Sequence, residues 1–141
     1  MKMMMMVVKV NIKTEDFKIY ETLKEFNEKL KLNIIDIDIK ELDLTNKNIG
    51  NKELEFLKNI NFKELQKLNL SDNKISDIKL LENVNFKELK KLHLSHNKIS
   101  DIKVLENVNF KELKILYLDG NPINYDSTFV ENLKSKININ Y

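Results

Sequence analysis

The stretch Phe62–Asn85, FKELQKLNLSDNKISDIKLLENVN, runs directly into Phe86–Asn109, FKELKKLHLSHNKISDIKVLENVN, and FKEL opens a third time at Phe110. The period is 24 residues, and twenty of the 24 positions are identical. Tandem units of this size cannot bury their apolar faces alone and must stack on their neighbours. The four differences are Gln66/Lys90, Asn69/His93, Asp72/His96 and Leu80/Val104. The three polar ones are spaced by three, so the units diverge along one surface line. That is the pattern of a binding surface on a fixed scaffold.

Within a unit the apolar residues keep a grid: Leu65, Leu68, Leu70, Ile75, Ile78, Leu81, Val84 and then Phe86, with Asn73 set among them. The next unit repeats it from Leu89 to Phe110 around Asn97, and a third carries Leu113, Leu116, Leu118, Asn121 and Ile123. The Leu-x-Leu stretch alternates with period two, which points Leu68 and Leu70 inward and Lys67, Asn69 and Ser71 outward. Asn73, Asn97 and Asn121 supply amides able to satisfy backbone groups at the turn after each strand. Ser76 and Ser100 stand where a short helical segment would be capped. One phenylalanine per unit, in register with the leucines, predicts a core spine of Phe62, Phe86 and Phe110.

LQKLNLSDNKI, LKKLHLSHNKI and LKILYLDGNPI resemble the LxxLxLxxNxI signature of the leucine-rich repeat family. A degenerate unit, IKELDLTNKNI at 39–49, has Lys47 at the asparagine position, with Asn46 or Asn48 as substitutes. The resemblance covers residues 37–124, about four repeats. It implies an α/β fold: a right-handed solenoid with a concave parallel β-sheet and short helices on the convex side. The type resembled is the short intracellular one with capped ends, phosphatase-regulator-like or internalin-like in its repeats.

The flanks read as caps on one domain, 1–141. In 1–36, Met6, Val8, Val10 and Ile12 alternate as a strand, interrupted as a leader or membrane segment by Lys9. Thr14 then caps a helix of about 14–31, with Phe17, Tyr20, Leu23, Phe26 and Leu30 at helical spacing and Glu15 and Asp16 in its first turn. Ile35, Ile37 and Ile39 alternate with Asp36 and Asp38 as a further strand. In 125–141, Asp126 or Ser127 starts a helix burying Phe129, Val130 and Leu133, and Ile137 and Ile139 form a closing strand.

Composition narrows the function. Lysine and acidic residues nearly balance, at a net +2, and arginine is absent. No net field selects nucleic acid or anionic membrane, and the guanidinium fork that reads phosphates and base edges is missing. No cysteine is present, which fits a reducing compartment. Two glycines in the chain leave no glycine-rich phosphate loop, and no nucleophile motif occurs. The expectation is therefore not an enzyme, with no cofactor, but an intracellular, cytoplasmic, monomeric module that binds a protein partner.

The outward columns name the candidate residues. Across units they run Glu41, Lys67, Lys91, Ile115; then Asp43, Asn69, His93, Tyr117; then Thr45, Ser71, Ser95, Asp119; then Asn46, Asp72, His96, Gly120. Strands about 4.8 Å apart make these one compact patch. Partner-binding is assigned to Asn69, Asp72, His93, His96, Tyr117 and Asp119. Alanine exchanges there should remove binding with little loss of stability, and the two histidines, expected exposed, should titrate near their ordinary range. A zinc site at His93 and His96 with Asp72 and Asp119 is chemically conceivable. Their spacing along a strand-to-loop path, however, does not converge both rings on one ion. The alternatives are a structural or self-associating fragment and a metal- or nucleic-acid-binding domain.

Overall fold

The computed structural model describes residues 14–108, 110–125 and 128–140. The strand read at Met6–Ile12 and the helix start read at Asp126 or Ser127 lie outside these. Helix α1 (Thr14–Leu30) comes first, followed by β1 (Glu41–Asp43), the short helices α2 (Asn51–Leu54) and α3 (Phe56–Asn59), and β2 (Lys67–Asn69). Then follow a 3-10 turn at Lys79–Asn83, β3 (Lys91–His93), a 3-10 turn at Lys103–Glu106, β4 (Ile115–Tyr117), α4 (Thr128–Lys134) and β5 (Asn138–Asn140).

The five strands form one parallel sheet in sequence order, with Leu42, Leu68, Leu92, Leu116 and Ile139 in register. A parallel neighbour can be reached only by a crossover, and each unit's second half supplies one. Alternation decides the faces: Leu68, Leu92 and Leu116 are fully buried, while their strand neighbours look outward. Behind the sheet, Phe62, Phe86 and Phe110 are all buried, and the Phe86 and Phe110 rings stack at 6.2 Å. This is an α/β leucine-zigzag solenoid whose core is one column of like residues per grid position.

The asparagine ladder ties successive turns. Asn97 Nδ2 donates to the carbonyls of Leu70 (2.9 Å) and Leu94 (3.1 Å), and its Oδ1 accepts from Ile75 N–H (3.0 Å). Asn73 does the same for Leu44, Leu70 and Ile49, and Asn121 for Leu94, Leu118 and Ile99. Each amide thus serves its own unit and the one before. At the degenerate first unit, the Lys47 N–H is taken by Asn73 Oδ1 (3.1 Å), so the second unit's asparagine closes the first turn. Asn46 and Asn48 are exposed at φ 54° and 58°.

Three local expectations are corrected. No strand forms at Ile35–Ile39: Asp36 Oδ1 accepts the Asp38 N–H (2.8 Å) in an Asx turn, and Ile35 is 89% exposed. The convex segments are not capped by Ser76 or Ser100. Asp77 and Asp101 accept the N–H of Lys79 (2.8 Å) and Lys103 (2.9 Å), and Ser76 is held by the Asn51 side chain. The apolar stripe of α1 is only half used: Leu23, Phe26 and Leu30 are buried, but Phe17 and Tyr20 are 54% and 52% exposed among the described residues. Phe26 is the anchor, its ring 5.6 Å from Phe56 and 6.4 Å from Phe62. Among the described residues, no helix is long and apolar enough to cross a membrane.

Candidate functional site

The sheet's outer face carries the candidate columns side by side. The parallel register sets Asp43, Asn69, His93, Tyr117 and Asn140 in one row and Glu41, Lys67, Lys91, Ile115 and Asn138 in the next. In the first row the small groups serve their own backbone. Asp43 Oδ1 accepts the Thr45 N–H and hydroxyl, and Asn69 Oδ1 accepts the Ser71 N–H (3.0 Å). The Thr45 hydroxyl, then its N–H, hold the Asp43 carboxyl below the usual carboxylate range. Of the assigned residues, Asn69 is therefore partly committed to local structure.

His93 and Tyr117 break that pattern. Adjacent strands place their rings face to face, with centroids 4.3 Å apart and planes 19° from parallel. Both are half-buried, and His93 Nε2 is covered without a hydrogen-bond partner. Burial lowers the His93 pKa from its ordinary 6.5, with Lys67 and Lys91 adding to the shift and Asp43 and Asp119 opposing it. The expectation of a freely exposed, titrating histidine is corrected here: the stack covers the ring and favours its neutral form. Ile115, half-buried, and Lys91, exposed, flank the stack in the second row. Lys67 pairs with Glu41 at 3.7 Å, whereas no described carboxylate lies within pairing distance of Lys91.

Asp119, His96 and Asp72 sit at the strand ends. The buried Ser95 hydroxyl donates to Asp119 Oδ1, and His96 Nε2 lies 3.5 Å from Asp119 Oδ2, so two consecutive residues of one unit grip the carboxylate of the next. Asp72 is exposed. Asp72 and His96 are candidates by their variability and by their place in an outward column. The backbone explains that variability differently: Asn46, Asp72, His96 and Gly120 all occupy positive φ, at 54°, 57°, 53° and 69°. This position requires the left-handed conformation, and Asn, Asp, His and Gly are the residues that adopt it most readily. Gly120 has a second constraint, since a Cβ there would collide with the His96 imidazole. Two residues of the face were missed. Ser95 reads as surface polar in sequence but is buried as the anchor of Asp119, and Asn140 ends the Tyr117 row from a strand outside the repeat grid.

No three or more His, Asp or Glu side chains among the described residues are grouped to hold a metal ion. A cleft of about 660 Å³ lies not on this face but behind it, between the last full repeat and α4, lined by Leu105, Phe110, Leu113, Phe129, Leu133 and Ile137.

A family profile described as leucine rich repeats (2 copies) matches residues 63–107 and again 87–135. With that match over the repeat grid and the asparagine ladder, the chain belongs to the leucine-rich repeat family. Among solved structures it is similar to an internalin (inlF) of Listeria monocytogenes, at 24% identity and a TM-score of 0.56, covering 87% of this chain and 38% of that one. It is similar also to internalin C2 of the same organism, at 27% identity and 0.51, covering 73% of this chain and 51% of that one. A leucine-rich repeat protein of Leptospira interrogans aligns at 26% identity and 0.53, covering 78% and 29%. The chain thus spans between 29% and 51% of the length of these structures. No curated protein sequence matches it. Repeats of this family generally mediate protein–protein interaction and are typically non-catalytic.

Proposed function

We propose that the chain is a non-catalytic adaptor or regulatory subunit that holds a protein partner on the sheet face. The observation that carries this reading is the His93–Tyr117 stack beside Ile115 and Lys91, the latter without a carboxylate partner among the described residues. It sets a rigid aromatic and apolar anchor beside Lys91, which no described carboxylate pairs, on a face whose other described groups include the Lys67–Glu41 pair and the locally bonded Asp43 and Asn69. Tyrosine held on a scaffold loses little entropy on binding and is enriched where binding energy concentrates. On this reading Asn69, Asp72, His96 and Asp119 form the polar rim, 1–141 acts as one capped domain, and the absence of cysteine suits a site inside the cell.

The test is partner capture from lysate with wild-type protein, a His93→Asn/Tyr117→Asn variant, and a convex control, Lys79→Glu/Lys103→Glu. Asparagine at 93 and 117 reproduces what the second unit already carries at Asn69, so the fold is retained. A protein held by wild type and by the convex control but lost from the sheet-face variant supports the reading. Capture that survives the sheet-face variant and fails with the control moves the site to the convex side and overturns it.

A further inference from the structure

Two of the four exchanges between units 62–85 and 86–109 alter charge, and both alter it the same way. Gln66 gives way to Lys90, which adds a positive charge at the start of β3, and Asp72 to His96, which removes a negative one just past its end. The third polar exchange, Asn69 to His93, sets the anchor ring between them. The left-handed turn at position 96 restricts the residue there but accepts aspartate too, as Asp72 at φ 57° shows. Backbone geometry therefore does not account for the direction of the change.

Lysines gather where the strands begin. The Lys40 carbonyl accepts from Gln66 N–H (2.8 Å), that of Gln66 from Lys90 N–H (2.8 Å) and that of Lys90 from Lys114 N–H (3.0 Å), so these four residues form a row of their own. Lys91 and Ile115 follow in register on β3 and β4, and adjacent strands lie only about 4.8 Å apart. Lys67 is paired with Glu41, whereas Lys90, Lys91 and Lys114 take part in no ion pair among the described residues. Of the described carboxylates on the face, Asp43 is held by Thr45 and Asp119 by Ser95 and His96. In the turns entering β3 and β4, Lys87 and Lys111 are balanced by Glu88 and Glu112. A positive field thus stands at one end of the His93–Tyr117 anchor, in a chain whose net charge is only +2.

We propose that the partner held on this face presents an acidic protein segment, its carboxylates at Lys90, Lys91 and Lys114 and an apolar side chain on Ile115 and Tyr117. This rests on the sheet face being the partner-binding site and names the chemistry it takes. A polyphosphate chain fits less well. It has no apolar group for Ile115, and Asp72 and Asp119 at the far ends of the strands repel a continuous row of phosphates. A segment with a few carboxylates ends short of them.

The test pans a phage-displayed library of short random peptides on the 141-residue chain and measures the selected peptides by fluorescence anisotropy in a salt series. Three variants are compared: Lys90→Gln/Lys91→Gln/Lys114→Gln, Tyr117→Asn, and the convex Lys79→Gln/Lys103→Gln. Glutamine already stands at position 66, and circular dichroism checks that each variant is folded. The expected peptides are rich in Asp and Glu around an aromatic or aliphatic residue, and their affinity falls as salt rises. Binding should weaken about tenfold or more in the lysine variant and in Tyr117→Asn, and stay unchanged in the convex one. Selected peptides without acidic enrichment, or peptides lost from Tyr117→Asn yet held equally by the lysine variant, overturn the acidic partner and leave the sheet-face reading standing. Binding that survives both face variants overturns both. A uridine oligonucleotide that outcompetes the selected peptides, or a library that yields no binder, also overturns the acidic segment.

Discussion

His93 shows how much a single side chain can differ from its sequence reading. Its column mates Asp43 and Asn69 turn back on their own backbone, whereas the imidazole lies flat on Tyr117 with Nε2 covered. The folded protein therefore holds His93 neutral to a lower pH than the unfolded chain does. The unfolded state binds the proton first, so stability is full above the ordinary value of 6.5. It falls as the pH drops through 6.5 and levels off below the depressed folded value. Urea melts between pH 8 and pH 5 should show this slope, and His93→Asn should flatten it; an unchanged slope would remove His93 as its source. The left-handed column makes a second prediction. His96→Ala forces a Cβ-bearing residue without a polar side chain into φ 53° and should cost about 1 kcal/mol, while His96→Gly should cost nothing or stabilise. Thermal melts of the pair separate this backbone effect from loss of the contact with Asp119, which both variants share. Alanine is accordingly the wrong probe of binding at Asp72 and His96, and glycine the right one.

At the scale of the element, the asparagine turns and the N-terminal helix are the parts whose removal is most telling. Asn97→Ala leaves the Ile75 N–H unpaired in the core, while the Leu70 and Leu94 carbonyls each keep one amide donor, from Asn73 and Asn121. A buried orphan costs about 1–3 kcal/mol, so a loss of that order is expected in denaturant melts. Asn121→Ala should cost less, because its turn is half-exposed and water can replace the amide. Equal losses at both positions would deny the role of burial. Helix α1 is held chiefly through Phe26, so Phe26→Ala should cost about 3–5 kcal/mol and Phe17→Ala within about 0.5 kcal/mol. The ion pair of Lys29 with Glu53 (3.6 Å) is largely exposed at the lysine and adds little.

Across the whole molecule each unit touches mainly its neighbours, so protection should follow position in the stack. Backbone amides of β2, β3 and β4, flanked on both sides, should exchange slowest with solvent, and those of β5 and α4 faster. Uniform protection across all five strands in a hydrogen-exchange experiment would contradict this. How much was legible in advance follows from the same geometry. Tandem identity of 62–85 and 86–109 determined the grid, the inward leucines, the phenylalanine spine, the asparagine ladder and the column register. A repeated unit has one solution, and stacking copies it. The sequence by itself also determined most of the outer face, with Ser95 and Asn140 the exceptions. What it could not determine was what those side chains do there, because that depends on neighbours one period away. Only the tertiary structure stacked His93 on Tyr117, closed Asp119 between Ser95 and His96, and placed the variable column at a left-handed turn. The ends, too, were decided by packing and not by pattern. No repeated neighbour constrains them, so Ile35 stays out of a strand and Ile139 brings a fifth strand onto the sheet beside Leu116.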